Sequence, residues 1–102
     1  MMIRQKQLQQ IKTISEKVSP LVTKIKLLEE TGELIQSIAT DVRNEDGISV
    51  NTVSEIADVV IVLTQILMQE QSMDMFQYEL NRKLERTLKR LEEGYYKVEL
   101  NK

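Results

Sequence analysis

Ile56-Ala57-Asp58-Val59-Val60-Ile61-Val62-Leu63 is the stretch on which the fold turns. Its β-branched residues suit a buried strand on propensity alone. The apolar character runs on through Ile66, Leu67 and Met68 with no Gly or Pro. That makes about 17 residues, too long for an ordinary strand and suited to a buried central helix. Just upstream, Thr52-Val53-Ser54-Glu55 fits a capping box, with Thr52 as N-cap and Glu55 at the third helical position. A helix starting at Thr52 is therefore expected.

Moving outward, Asn44-Glu45-Asp46-Gly47 is a turn-forming cluster and predicts a surface loop over residues 42 to 50. Before it, Ser19-Pro20 pairs an N-cap with a Pro at the first helical position. Leu21, Ile25, Leu28, Ile35 and Ile38 then recur at helical spacing, so a helix is expected over about 20 to 41. Leu8, Ile11, Ile14 and Val18 mark an amphipathic helix over 3 to 18. Downstream, Ser72 can cap a helix carrying Met75, Phe76, Leu80, Leu84, Leu88 and Leu91 on one stripe and ending near Gly94. These stripes read as core. Four helices with short connections predict an all-α, four-helix bundle.

The chain of 102 residues is short enough to be one domain, residues 1–102, and small enough for self-association to help stabilise it. A homodimer or homotetramer is expected, because residues 53 to 68 are apolar nearly all round. With 41% hydrophobic and 29% charged residues, the composition is that of an ordinary globular protein. A formal net charge of -2 argues against general nucleic-acid binding. The longest uninterrupted apolar run, Val59 to Leu63, is far shorter than the roughly 20 residues of a membrane span. No signal-peptide pattern follows the first residues, so the expectation is a cytoplasmic protein with no membrane partner. Cys and His are both absent, which removes thiolate and Ser-His-Asp chemistry and leaves carboxylates, amines, hydroxyls and bound metal.

Carboxylates are where the pattern concentrates. Glu29, Glu30 and Glu33 fall within roughly 100° of arc on one flank of a helix. Taken alone they fit a solvated acidic face, with Lys24 and Lys26 nearby. Asp58 is harder to explain that way, being set one turn beyond Glu55 among apolar neighbours, where a lone charge costs several kcal/mol. Pairing with one Lys or Arg would also satisfy it. Antiparallel packing of the second and third helices would bring two acids from each face to face. Such an all-oxygen site suits Mg²⁺ or Mn²⁺, and Mg²⁺ completes its shell with water and substrate phosphates.

Glu29-Glu30-Thr31-Gly32-Glu33, with residues 34 to 54 intervening before Glu55-Ile56-Ala57-Asp58, resembles the E-E-x-x-E then E-x-x-D signature of MazG-like all-α nucleoside triphosphate pyrophosphohydrolases. Lys26-Leu27-Leu28 and Val59 to Leu63 also look like that family, and the resemblance covers about residues 20 to 91. It implies that Glu30, Glu33, Glu55 and Asp58 bind Mg²⁺. Glu29 then takes a water-orienting, catalytic role. Lys83 and Arg90 match the family's phosphate contacts on the fourth helix, and Thr87 stands where the family has Asn. The implied reaction splits a nucleoside triphosphate into a monophosphate and pyrophosphate, a chemistry suited to cleaning the nucleotide pool.

Other readings stand beside these. Lys83, Arg86, Lys89 and Arg90 also fit a solvated face with i, i+4 pairs such as Glu79 with Lys83 and Glu85 with Lys89. Gly32 marks either a close approach by another helix or substrate or an incidental break in propensity. Tyr95 and Tyr96 fit packing on a neighbouring subunit or stacking on a base. The rival for the whole chain is a non-enzymatic oligomeric helical interaction module held together by ion pairs.

Overall fold

A computed structural model describes residues 3–45 and 47–94. Those residues form four α-helices and no strand: α1 (Gln5–Ser15), α2 (Pro20–Asn44), α3 (Val50–Gln69) and α4 (Met73–Glu92). The fold is all-α, and the β-branched run 56–63 lies wholly inside α3. Tyr95 and Tyr96 lie outside the described residues.

The helix boundaries follow from local chemistry. Ser19 Oγ accepts the backbone N–H of Val22 at 3.1 Å and Pro20 opens α2, so the start expected from sequence is observed. At its other end α2 runs three residues past the expected stop, because Glu45 takes a left-handed conformation (φ 55°) and donates its backbone N–H to the Val42 carbonyl. Gly47, at φ 72°, turns the chain back. The start of α3 differs from expectation. Ser49, not Thr52, is the N-cap, and it accepts the Thr52 backbone N–H at 3.1 Å. Thr52 is thus inside the helix and buried, so no capping box at Thr52 and Glu55 exists. Ser72 stands at the N-cap of α4 without a side-chain cap bond. Gly94, at φ 85°, follows the last turn of α4.

The chain divides into two compact units, Met1–Gln71 and Ser72–Lys102. In the first, α3 packs against both α2 and α1. Asp41 meets Ser49 and Thr52, Ser37 meets Thr52, and Lys24 meets Glu70 at 2.5 Å. Partners on α2 thus fall in number as those on α3 rise, which makes the pair antiparallel. Gln69 Nε2 donates to the carbonyls of Ser15 and Val18 at 3.0 and 2.8 Å and ties the end of α3 to the segment after α1.

This unit has a small and unusually polar interior. Ile11, Val59 and Val62 are its buried hydrophobic residues, alongside Thr23, Ser37, Thr52, Thr64 and Gln65. Thr23 and Thr64 satisfy their hydroxyls on the carbonyls of Ser19 and Val60, one turn back, so their burial leaves no donor unpaired. The stripes read as core from sequence are instead exposed in the single chain: Leu21, Ile25, Leu28, Ile35 and Ile38 on α2, and Met75, Phe76, Leu80, Leu84, Leu88 and Leu91 on α4. Helical spacing marks a face as apolar without saying what covers it. By length and composition α3 is also long and apolar enough to cross a membrane, which the uninterrupted-run criterion missed. It nevertheless carries Glu55 and Asp58 and packs between two helices.

Candidate metal centre

Because α2 and α3 are antiparallel, the turn bearing Glu30 and Glu33 faces the turn bearing Glu55 and Asp58. One carboxylate oxygen each from Glu30, Glu55 and Asp58 lies within 4.8 Å of the other two. Glu33 is close enough to Glu55 for its charge and a shared hydrogen bond to act on that carboxyl. The fourth acid is therefore adjacent to the cluster, exposed and outside its three convergent oxygens.

Burial within the cluster differs from the sequence reading. Asp58, expected to be the dry acid, is exposed, whereas Glu30 is buried, its side chain only 8% accessible. The Glu30 position is inaccessible because it faces α3, while Asp58 lies towards the open side of the pair. Lys26 Nζ sits 3.1 Å from Glu30 Oε1. The Glu30 hydrogen bond, and then its charge, raise the Lys26 pKa. Burial, then the Glu33 charge beside it, push the Glu55 carboxyl above its ordinary value, with Asp58 and Glu30 adding to the shift.

Two buried oxygens in this cluster, Glu30 Oε2 and Glu55 Oε2, have no hydrogen-bond partner. A buried carboxylate oxygen left without a donor costs free energy, so this arrangement is unfavourable unless something positive enters it. Several convergent carboxylate oxygens with no nitrogen or sulfur donor fit a hard divalent cation of the Mg²⁺ or Mn²⁺ type. Glu30, Glu55 and Asp58 would hold it, with Glu33 adjacent.

The other expected site residues fall elsewhere. Glu29 is exposed on α2 and outside the three-oxygen cluster, with its charge felt by Lys26. Lys83, Thr87 and Arg90 lie on one face of α4, in the second unit. The Thr87 hydroxyl donates to the Lys83 carbonyl at 2.8 Å. Glu79 pairs with Arg82 at 2.7 Å, not with Lys83.

Sequence reading also missed a polar network beside the cluster. Asp41 Oδ2 accepts from the Ser49 backbone N–H at 3.1 Å and from Thr52 Oγ1 at 2.6 Å. Thr52 Oγ1 lies 2.5 Å from Ser37 Oγ, to which Asn51 Nδ2 donates at 2.8 Å. An open groove of about 250 Å³ adjoins it, lined by Glu33, Gln36, Ser37, Thr40, Asn51 and Glu55. Small hydroxyl and amide residues scattered over two helices form no linear pattern, so only the pairing of α2 with α3 reveals them.

Gly32 does not mark a close approach within the described residues, since a Cβ added there meets nothing within 4 Å. No family model matches this chain, and neither a curated protein nor a solved structure does.

Proposed function

We propose that this chain is a Mg²⁺-dependent nucleoside triphosphate pyrophosphohydrolase, with Mn²⁺ as an alternative metal. The observation that carries the reading is the convergence of Glu30, Glu55 and Asp58 with two buried, unpartnered carboxylate oxygens. Bound divalent metal lowers the pKa of water and stabilises negative charge on phosphate oxygens. Glu30 supplies a buried carboxylate, Glu55 a half-buried one and Asp58 one open to solvent, and Glu33 adds a fourth carboxylate at the groove. The step to triphosphate chemistry rests on the resemblance of Glu29 to Glu33 and Glu55 to Asp58 to the MazG-like signature. Through that resemblance alone, Glu29 is assigned to orienting water and Lys83, Thr87 and Arg90 to substrate contact.

Product analysis on a panel of canonical and modified nucleoside triphosphates with Mg²⁺ tests this reading. Monophosphate and pyrophosphate are the expected products. Release of single phosphate, or no turnover across the panel, overturns it.

A second reading is favoured by a specific observation, the exposed apolar rows of α2 and α4. Under it the chain is an oligomeric helical interaction module without catalysis. Mg²⁺ separates the two, because a ligand that binds only the folded state raises the melting temperature by mass action. A salt-bridged scaffold without a metal site gains nothing from it.

A further inference from the structure

The hydrogen bonds beside the acid cluster have only one consistent direction. Asp41 accepts from two donors, and those bonds, first from the Thr52 hydroxyl and then from the Ser49 backbone N–H, hold its carboxyl below its ordinary value. It is an acceptor only. The single Thr52 hydroxyl proton is therefore committed to Asp41 Oδ2 at 2.6 Å. The buried contact of 2.5 Å between Ser37 Oγ and Thr52 Oγ1 then takes its proton from Ser37. With that proton spent, Ser37 Oγ can only accept from Asn51 at 2.8 Å. The reverse amide orientation would set two acceptors against each other. Asn51 is thus locked with Nδ2 on Ser37 and its carbonyl oxygen, Oδ1, on the other branch. Oδ1 carries no protein hydrogen bond among the described residues, and Asn51 lines the same open groove as Glu33 and Glu55.

We propose that Asn51 Oδ1 accepts a hydrogen bond from the nucleoside part of the substrate, a base N–H or a sugar hydroxyl, with Ser37 as the positioning residue that fixes the amide. This inference rests on the nucleoside triphosphate reading. The groove supports it in two ways. It adjoins the carboxylates that would hold a metal-bound triphosphate. Of its other neutral side chains, the Thr40 hydroxyl is already engaged, donating to the Gln36 carbonyl at 3.0 Å and accepting from Arg43 Nη2 at 3.2 Å, while the exposed Gln36 amide has no hydrogen bond among the described residues to fix its direction. Asn51 therefore offers a pre-oriented acceptor whose direction was set before any ligand arrives. Pre-orientation lowers the cost of binding.

Calorimetric titration of the full chain with Mg²⁺ present tests it, using the α,β-methylene analogue of a ribonucleoside triphosphate, which the proposed hydrolysis cannot cleave, the same analogue of its 2′-deoxy and 2′,3′-dideoxy forms, and inorganic tripolyphosphate. Asn51→Ala should weaken the nucleoside triphosphate about three- to ten-fold, the effect of one neutral hydrogen bond, and leave tripolyphosphate and Mg²⁺ alone unaffected. Ser37→Ala should weaken it in the same direction, and the double variant should lose no more than Asn51→Ala. If Asn51→Ala loses its effect with the dideoxy form, the donor is a sugar hydroxyl; if the effect persists, it is on the base. Equal loss on tripolyphosphate, weaker Mg²⁺ binding, or an unchanged affinity each overturns the assignment. Wild-type protein that binds tripolyphosphate and nucleoside triphosphate equally overturns it too, while leaving the metal centre standing. Protein that binds neither overturns the proposed function itself.

Discussion

Lys26 reaches one turn along α2 to sit 3.1 Å from Oε1 of Glu30, on the other branch of the carboxylate from Oε2, which has no partner. The ammonium and a bound cation would draw on the same charge from different sides. Lys26→Met should therefore raise Mg²⁺ and Mn²⁺ affinity by about two- to five-fold, the scale of a solvent-screened ion pair. The metal-free protein should melt lower, since Glu30 would lose its counter-charge. Weaker metal binding in this variant would mean that Lys26 holds Glu30 in place instead of competing for it.

Glu33→Gln and Asp58→Asn should each leave a folded helical protein whose turnover is reduced by orders of magnitude. Metal-free Asp58→Asn should melt above metal-free wild type, because a member of a like-charged group has been neutralised. Glu55 gives the pH dependence its sign. Its folded pKa is raised from 4.5, so the folded state holds the proton more tightly than the unfolded state. Metal-free stability from this group is greatest below 4.5 and is lost as pH rises through the raised value. Circular dichroism melts across that window, with and without Mg²⁺, read both effects. Near-full activity in Asp58→Asn would remove it from the centre.

Asp41 works in the opposite direction. Its folded pKa lies below 3.8, so its bonds to Thr52 and Ser49 contribute stability at all pH values above 3.8. That contribution is lost as pH falls through the depressed folded value. The stability gap between wild type and Asp41→Ala should therefore be constant at neutral pH and close in acid below 3.8. A gap that does not change with pH would mean that packing, not ionisation, is what the substitution removes.

Gly32→Ala should stabilise the protein by about 1 kcal/mol, since Ala is the better helix former and its Cβ meets no neighbour within 4 Å. For a domain of this size that corresponds to a melting temperature higher by about 4–8 °C. If activity or self-association falls while stability rises, the open space at Gly32 is filled by substrate or by a second copy.

Self-association is the remaining expectation. With Leu21, Leu28 and Ile35 on α2 and Leu84 and Leu88 on α4 all more than half exposed, the chain presents apolar rows that a second copy would cover. Sedimentation at micromolar concentration should give a dimer or tetramer, and a single 11.9 kDa species would contradict it.

Helical class and element order were legible in the sequence because they depend on short-range chemistry. Ser19-Pro20 sets a start whatever follows it, and the length of the apolar run through Met68 outweighs the strand propensity of Val59 to Val62. The i, i+3 spacing of Glu30 with Glu33 and of Glu55 with Asp58 likewise puts each pair on one helix face before any packing is known. Tertiary structure decided the rest. Ser49 displaced Thr52 as the cap because Thr52 was drawn inward by Ser37 and Asp41, which only the pairing of α3 with the preceding helix brings to it. Glu30, not Asp58, became the buried acid because burial depends on which face meets the neighbouring helix, and local hydropathy does not encode that. The direction of the Asn51 amide depends on a proton chain through three residues of two helices. Periodicity identified the apolar stripes but could not say what covers them, since covering is a relation between surfaces and spacing describes only one.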